Sequence, residues 1–135
     1  MAIKAIPFEG WHLDWIDVQE SQKQELAKIT AVERNSLTGR QSWTATDGER
    51  LLMCGGIIPI TAGCRALAWT FMGNVGRKQF LELHNAVRKY VCAAEYPRLE
   101  MEVRDEFEAG HRWAKALGFH EEPMGGGHTL YVRLR

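Results

Sequence analysis

The chain has no excess charge of either sign: Lys plus Arg number 17 and Asp plus Glu number 17, a formal net charge of zero. Such a balance sets up no overall field to draw in nucleic acid or an anionic membrane, so neither is expected as a partner. Cysteine is scarce. Cys54, Cys64 and Cys92 are odd in number, widely spaced and without a Cys-x-x-Cys pair, which argues against a disulfide framework or a zinc site and for reduced thiols in a cytosolic setting. No run approaches the roughly 18 to 20 apolar residues that a membrane span requires. The first apolar stretch is interrupted by Lys4 and Glu9 and is too brief for a signal peptide. Cytoplasmic residence is therefore expected. His12, His84, His120 and His128 show no ligand spacing, so no metal is expected either. Repeats, low-complexity tracts and linkers are also lacking, which makes residues 1–135 one domain on this reading.

What is present is an ordinary folding composition: 45% hydrophobic residues against 25% charged excludes disorder. A short strand over 3–8 is weakened by Pro7. Residues 10–37 read as two or three helical pieces, with Ser21 and Gln24 as a capping box and Asn35, Ser36, Thr38 and Gly39 closing the region. Strands follow over 42–46, 51–60 and Arg65–Met72. Asp47-Gly48 is a strong hairpin signal, because both turn positions accept φ above zero. Gly55-Gly56 marks a bulge or a close backbone approach.

The second half changes period. Phe80, Leu83, Val87, Tyr90 and Val91 line one face of a helix over 77–94. Leu99, Met101 and Val103 alternate with Glu100 and Glu102 in a strand over 98–103. A helix over 106–117 ends at Gly118, and Gly125-Gly126-Gly127 leads into a last strand, His128–Leu134. The strand–helix–strand unit from Arg65 onward places two strands parallel with a right-handed crossover. The expected class is mixed α/β in the order β-α-α-β-β-β-α-β-α-β-β.

Trp113-Ala-Lys-Ala-Leu-Gly-Phe119, in that element order, resembles the GNAT acyltransferases, whose helix after the fifth strand ends in Leu-Gly-Phe. Ser42-Trp43-Thr44, Asp47-Gly48, Gly55-Gly56, Arg98-Leu99-Glu100 and His111-Arg112-Trp113 are similar in wording to small GNAT-like proteins of tailed bacteriophages. The resemblance implies a GNAT-like fold in which the fourth and fifth strands splay apart. Acetyl-CoA would lay its pantetheine along the backbone of residues 67–72 and its pyrophosphate on Phe71, Met72, Gly73, Asn74, Val75, Gly76 and Arg77. Such a loop needs free N–H groups, the positive end of a helix dipole and room for close approach. The chain departs from the family wording in placing Asn74 at the first Gly and Phe71 at the basic or amide position. A plain strand-to-helix turn is the alternative.

A second departure is Ala114, where many GNAT enzymes carry a Tyr that protonates the leaving thiolate. Glu100 and Glu102 are candidate bases for an amine acceptor, or else a solvated strand face. His111, near a helix start, is a third candidate, or a packing and capping residue. Trp43, Trp69 and Trp113 are expected in the core. Trp11 and Trp15 share a helical face that covers the sheet, lines the acceptor side or binds a protein. Two functions follow from the resemblance. One is an acetyl-CoA-dependent N-acyltransferase. The other is a catalytically degenerate phage protein acting as a virion component or host-protein binder.

Overall fold

The computed structural model describes residues 2–38 and 41–135. The elements are β1 (Lys4–Pro7), α1 (His12–Trp15), a 3-10 turn (Glu20–Gln22), α2 (Lys23–Lys28), α3 (Ala31–Leu37), β2 (Gln41–Thr46), β3 (Leu51–Thr61) and β4 (Arg65–Met72). They continue as α4 (Arg77–Ala93), β5 (Arg98–Arg104), α5 (Glu108–Ala116), β6 (His120–Glu122) and β7 (His128–Leu134). The seven strands form a sheet in the order β1-β2-β3-β4-β5-β7-β6. The β4–β5 pair is parallel, as its crossover helix requires, and β5–β7 and β6–β7 are antiparallel. The architecture is the mixed α/β class expected from the sequence.

The helical region is three short α-helices and a 3-10 turn, in keeping with the pieces expected. Its capping box is Thr30 with Glu33, not Ser21 with Gln24: Thr30 Oγ1 accepts from Glu33 N–H at 3.1 Å and Glu33 Oε1 from Thr30 N–H at 3.2 Å. Thr30 has the extended backbone that a cap needs, whereas Ser21 lies inside the 3-10 turn and α2 has no side-chain cap. Gly39 lies outside the described residues. Asp47-Gly48 joins the antiparallel strands β2 and β3, as the hairpin signal implied. Only Gly48 has positive φ, at 95°, and Asp47 instead uses its carboxylate to accept from the Glu49 and Arg50 N–H groups at 3.0 and 3.1 Å. Those bonds hold the Asp47 carboxyl below its ordinary range.

By packing, the chain divides into two compact units. The first comprises Met1–Ile57 and Thr70–Val87; Phe8, Leu13, Leu52, Met53 and Leu83 form its core. Gly56 realises the expected close approach, since a Cβ there would lie 2.5 Å from the Gln41 carbonyl. The β2–β3 register is irregular at Ala45/Thr46 instead. His12 is buried beside Thr44, with 2.8 Å between Nδ1 and Oγ1, and accepts from Glu9 N–H at 3.2 Å. Burial lowers its pKa, against a smaller opposing effect of Glu9. Its contribution to stability is therefore complete above the ordinary value of 6.5 and is lost as pH falls from there towards the depressed folded value. Urea titrations from pH 7.5 to 5 should show stability falling with pH, and His12→Asn should flatten that slope.

The second unit comprises Ile58–Trp69 and Arg88–Arg135. Leu99, Val103, Tyr131, Ala114, Leu117 and Phe119 are buried in it, and Gly118 closes α5 at φ 92°, as the sequence predicts.

Candidate functional site

Strand β5 pairs with β7 over its whole length, from Arg98↔Leu134 to Arg104↔His128. Its parallel pairing with β4 is much shorter: Arg65↔Arg98, Ala66↔Leu99 and Leu67↔Glu100. Among the described residues the register ends there, although β5 runs on to Arg104.

The far end of β4 belongs to the first unit. The Gly73 N–H donates to Leu52 C=O at 2.8 Å, towards β3. Peptide groups alternate in direction along a strand, so those of Thr70 and Met72 aim from the opposite edge. The resemblance assigns that edge to pantetheine. Here Gln22, only 6% exposed, lies along it. Its Nε2 donates to Thr70 C=O at 2.9 Å and its Oε1 accepts from Met72 N–H at 2.7 Å. Beyond it, Gln19 N–H donates to Met72 C=O at 3.0 Å and Asn74 N–H to Asp17 C=O at 2.9 Å, around a Val18↔Gly73 bridge. Sequence reasoning missed Gln22. Nothing in its local wording separates it from a helix-surface glutamine.

The loop at 73–76 is held from two sides. Asn74 Nδ2 donates to Asp17 Oδ2 at 3.1 Å, and Arg50 Nη1 donates to Asn74 C=O at 2.7 Å. Arg50 also donates to Gln79 Oε1 at 3.0 Å, and Gln79 Nε2 to Asp47 Oδ2 at 3.2 Å. These contacts fix the start of α4. The first helical bond across the loop is Phe80 N–H to Gly76 C=O at 2.9 Å. Among the described residues, the N–H groups of Val75, Gly76, Arg77 and Lys78 have no acceptor, as expected for the first turn of a helix. A Cβ on Gly76 would meet nothing within 4 Å, and Arg77 and Lys78 are exposed. Open space, unengaged amides and three cations, counting Arg50, suit an anion. Phe71, Met72 and Gly73 are buried and face no such space.

The expected proton acceptors fare differently. Glu100 is 3% exposed, neither a solvated face nor an open base. Arg65 grips it through Nε and, at 2.9 Å, Nη2, and Arg98 Nε adds a bond at 2.7 Å. The Arg65 guanidinium, helped by Arg98, holds the carboxyl below its ordinary range against the effect of burial. A carboxylate so engaged is a poor proton acceptor. Arg98 continues the network to Glu122 at 2.9 Å. Glu102, by contrast, is exposed.

His111 has both ring nitrogens committed. Nε2 lies 3.0 Å from the carbonyls of Arg104 and Asp105, which only accept, so Nε2 donates there; Nδ1 lies 2.8 Å from Tyr131 Oη. It ties α5 to β5 and β7, the packing role. Ala114 is fully buried. Its methyl offers no proton.

Trp11 and Trp15 are 52% and 75% exposed, while Trp43, Trp69 and Trp113 are half-buried rather than core. Cys54 is brought 3.5 Å from the Thr44 hydroxyl, a proximity invisible in sequence, but burial pushes its thiol up to about 11. An open cavity of about 390 Å³ in the second unit is lined by Asp105, Glu121, Glu122, Met124, His128 and Thr129. Among the described residues no helix is long and apolar enough to cross a membrane.

No protein-family model and no curated protein sequence matches the chain. Solved structures do. An acetyltransferase from Streptococcus agalactiae superposes with a TM-score of 0.70 at 16% identity, covering 98% of each chain. The GNAT domain of S. lividans PAT gives 0.70 at 12% identity, covering 98% of this chain and 90% of that one. Aminoglycoside 6'-acetyltransferase type Ii gives 0.67 at 14%, covering 99% and 97%. The chain has the fold of the GNAT acetyltransferases. At these identities the likeness extends to the fold alone.

Proposed function

We propose that the chain is a GNAT-type N-acyltransferase that moves an acetyl group from acetyl-CoA to an amine acceptor by direct attack. The observation that carries this reading is the unengaged first turn of α4, with open space at Gly76 and Arg77 beside it. The pyrophosphate is assigned to the amides of 75–78 and to Arg77 and Arg50 rather than to the buried residues 71–73. Acetyl-CoA supplies the activated thioester. The amine nitrogen bonds to the acetyl carbon, the carbon–sulfur bond breaks, and the ammonium proton leaves to a base. Of the three candidates, Glu102 is the one whose carboxylate is neither buried nor pinned, and it takes that proton through water. With Ala114 buried, the thiolate is protonated by solvent.

Isothermal titration with acetyl-CoA tests the reading. Saturable binding supports it, and no heat at millimolar ligand overturns it. Glu102→Gln should lower turnover with an amine roughly 100-fold while leaving the acetyl-CoA Kd unchanged, read by thiol release.

The second reading is a catalytically silent GNAT-like phage protein that serves as a virion component or binds a host protein. Gln22 on the strand edge and the buried Ala114 favour the loss of catalysis that it requires. Stable capture of one host or virion protein, indifferent to CoA, is its expected signature.

A further inference from the structure

We infer that Gln22 is a built-in competitor for pantetheine: its side-chain carboxamide occupies one amide position on the β4 edge and must swing away before acyl-CoA can seat. The inference rests on the acyl-CoA reading above. It starts from the chemistry of the contact. A pantetheine amide would present one N–H and one C=O to the strand, and the Gln22 carboxamide presents the same two groups. Its orientation is unambiguous, because the Thr70 carbonyl only accepts and the Met72 N–H only donates.

The neighbouring anchors explain how the carboxamide can leave without unravelling the segment. Gln19 N–H remains on Met72 C=O, and Asp17 C=O remains on Asn74 N–H. Asn74 Nδ2 adds bonds to Asp17 Oδ2 and, at 3.3 Å, to the Val18 carbonyl. The backbone of 17–19 is thus fastened independently of the Gln22 side chain. Rotation about the Gln22 side-chain torsions frees Thr70 C=O and Met72 N–H alone. The nucleotide end of the ligand, at the start of α4, makes no use of either group. Binding therefore divides into an anion step that Gln22 does not affect and a pantetheine step that it opposes. A ligand competing with a seated side chain has its affinity reduced by the fraction of time the site is open.

The test compares CoA with adenosine 3′,5′-bisphosphate, which lacks pantetheine, by isothermal titration on the full chain. Gln22→Ala and Gln22→Asn, whose shorter carboxamide cannot span both groups, should each tighten CoA binding about tenfold and leave the bisphosphate Kd unchanged. Equal or weaker CoA binding in both variants, with bisphosphate binding intact, overturns the inference and spares the acyl-CoA reading. Failure of wild type and variants to bind either ligand overturns both. A measurement on the unaltered protein guards against variants that do not fold. The Gln22 side-chain NH2 resonances should shift on adding CoA and not on adding the bisphosphate; resonances indifferent to CoA at saturation contradict the competitor role.

Discussion

Gly76→Trp should weaken CoA binding by at least about 100-fold while leaving the fold intact. The site of the change decides both halves of that outcome. A Cβ on Gly76 points into open space, and the backbone there is not in the left-handed region, so an indole can be accommodated without strain. It would then stand over the amides of 75–78, where the pyrophosphate is assigned. The residue precedes α4, so the cost to stability is that of a poorer cap, about 1 kcal/mol. Gly73→Ala is the informative contrast. Its Cβ would lie 2.9 Å from the Leu52 carbonyl, so it damages the fold before it touches any ligand. Titration with CoA and thermal melts on the two variants separate a ligand-facing glycine from a packing one.

The second large effect is on stability. Glu100→Ala should cost about 2–3 kcal/mol, below the usual range for breaking a buried pair because Arg65 and Arg98 are partly exposed and rehydrate. The pH dependence follows from the depressed Glu100 pKa. The contribution is present above the ordinary carboxyl value of 4.5 and is lost as pH falls through the lower folded value. Glu100→Gln keeps the size of the side chain, so it should remove that acid-side component at a smaller cost. Urea denaturation at pH 7 and pH 3 reads both. An unchanged midpoint in Glu100→Ala would mean that the arginines find other partners.

Sequence alone reached the architecture because the signals for it are local and repeated. Leu99, Met101 and Val103 alternate, Gly118 stops α5, and the order of elements forces a parallel β4–β5 pair. The bounds of β4 and β7 were legible residue by residue. The candidate site was readable only where it depends on a stretch of chain, as in the proposed anion loop before α4. Alternation placed Glu100 on a polar face, but the two arginines that bury it come from register: Arg65 and Arg98 are paired across β4 and β5. Gln22 reaches Thr70 and Met72 over separations of 48 and 50 residues, and no local pattern encodes such a contact. The role of His111 similarly required Tyr131, 20 residues away.

The claim beneath all of this is that the first turn of α4 receives a phosphate-bearing ligand. Amide spectra of labelled protein during a CoA titration address it most directly. Saturable shifts of the Val75, Gly76, Arg77 and Lys78 signals are the expected result. Spectra unchanged at millimolar CoA would contradict it.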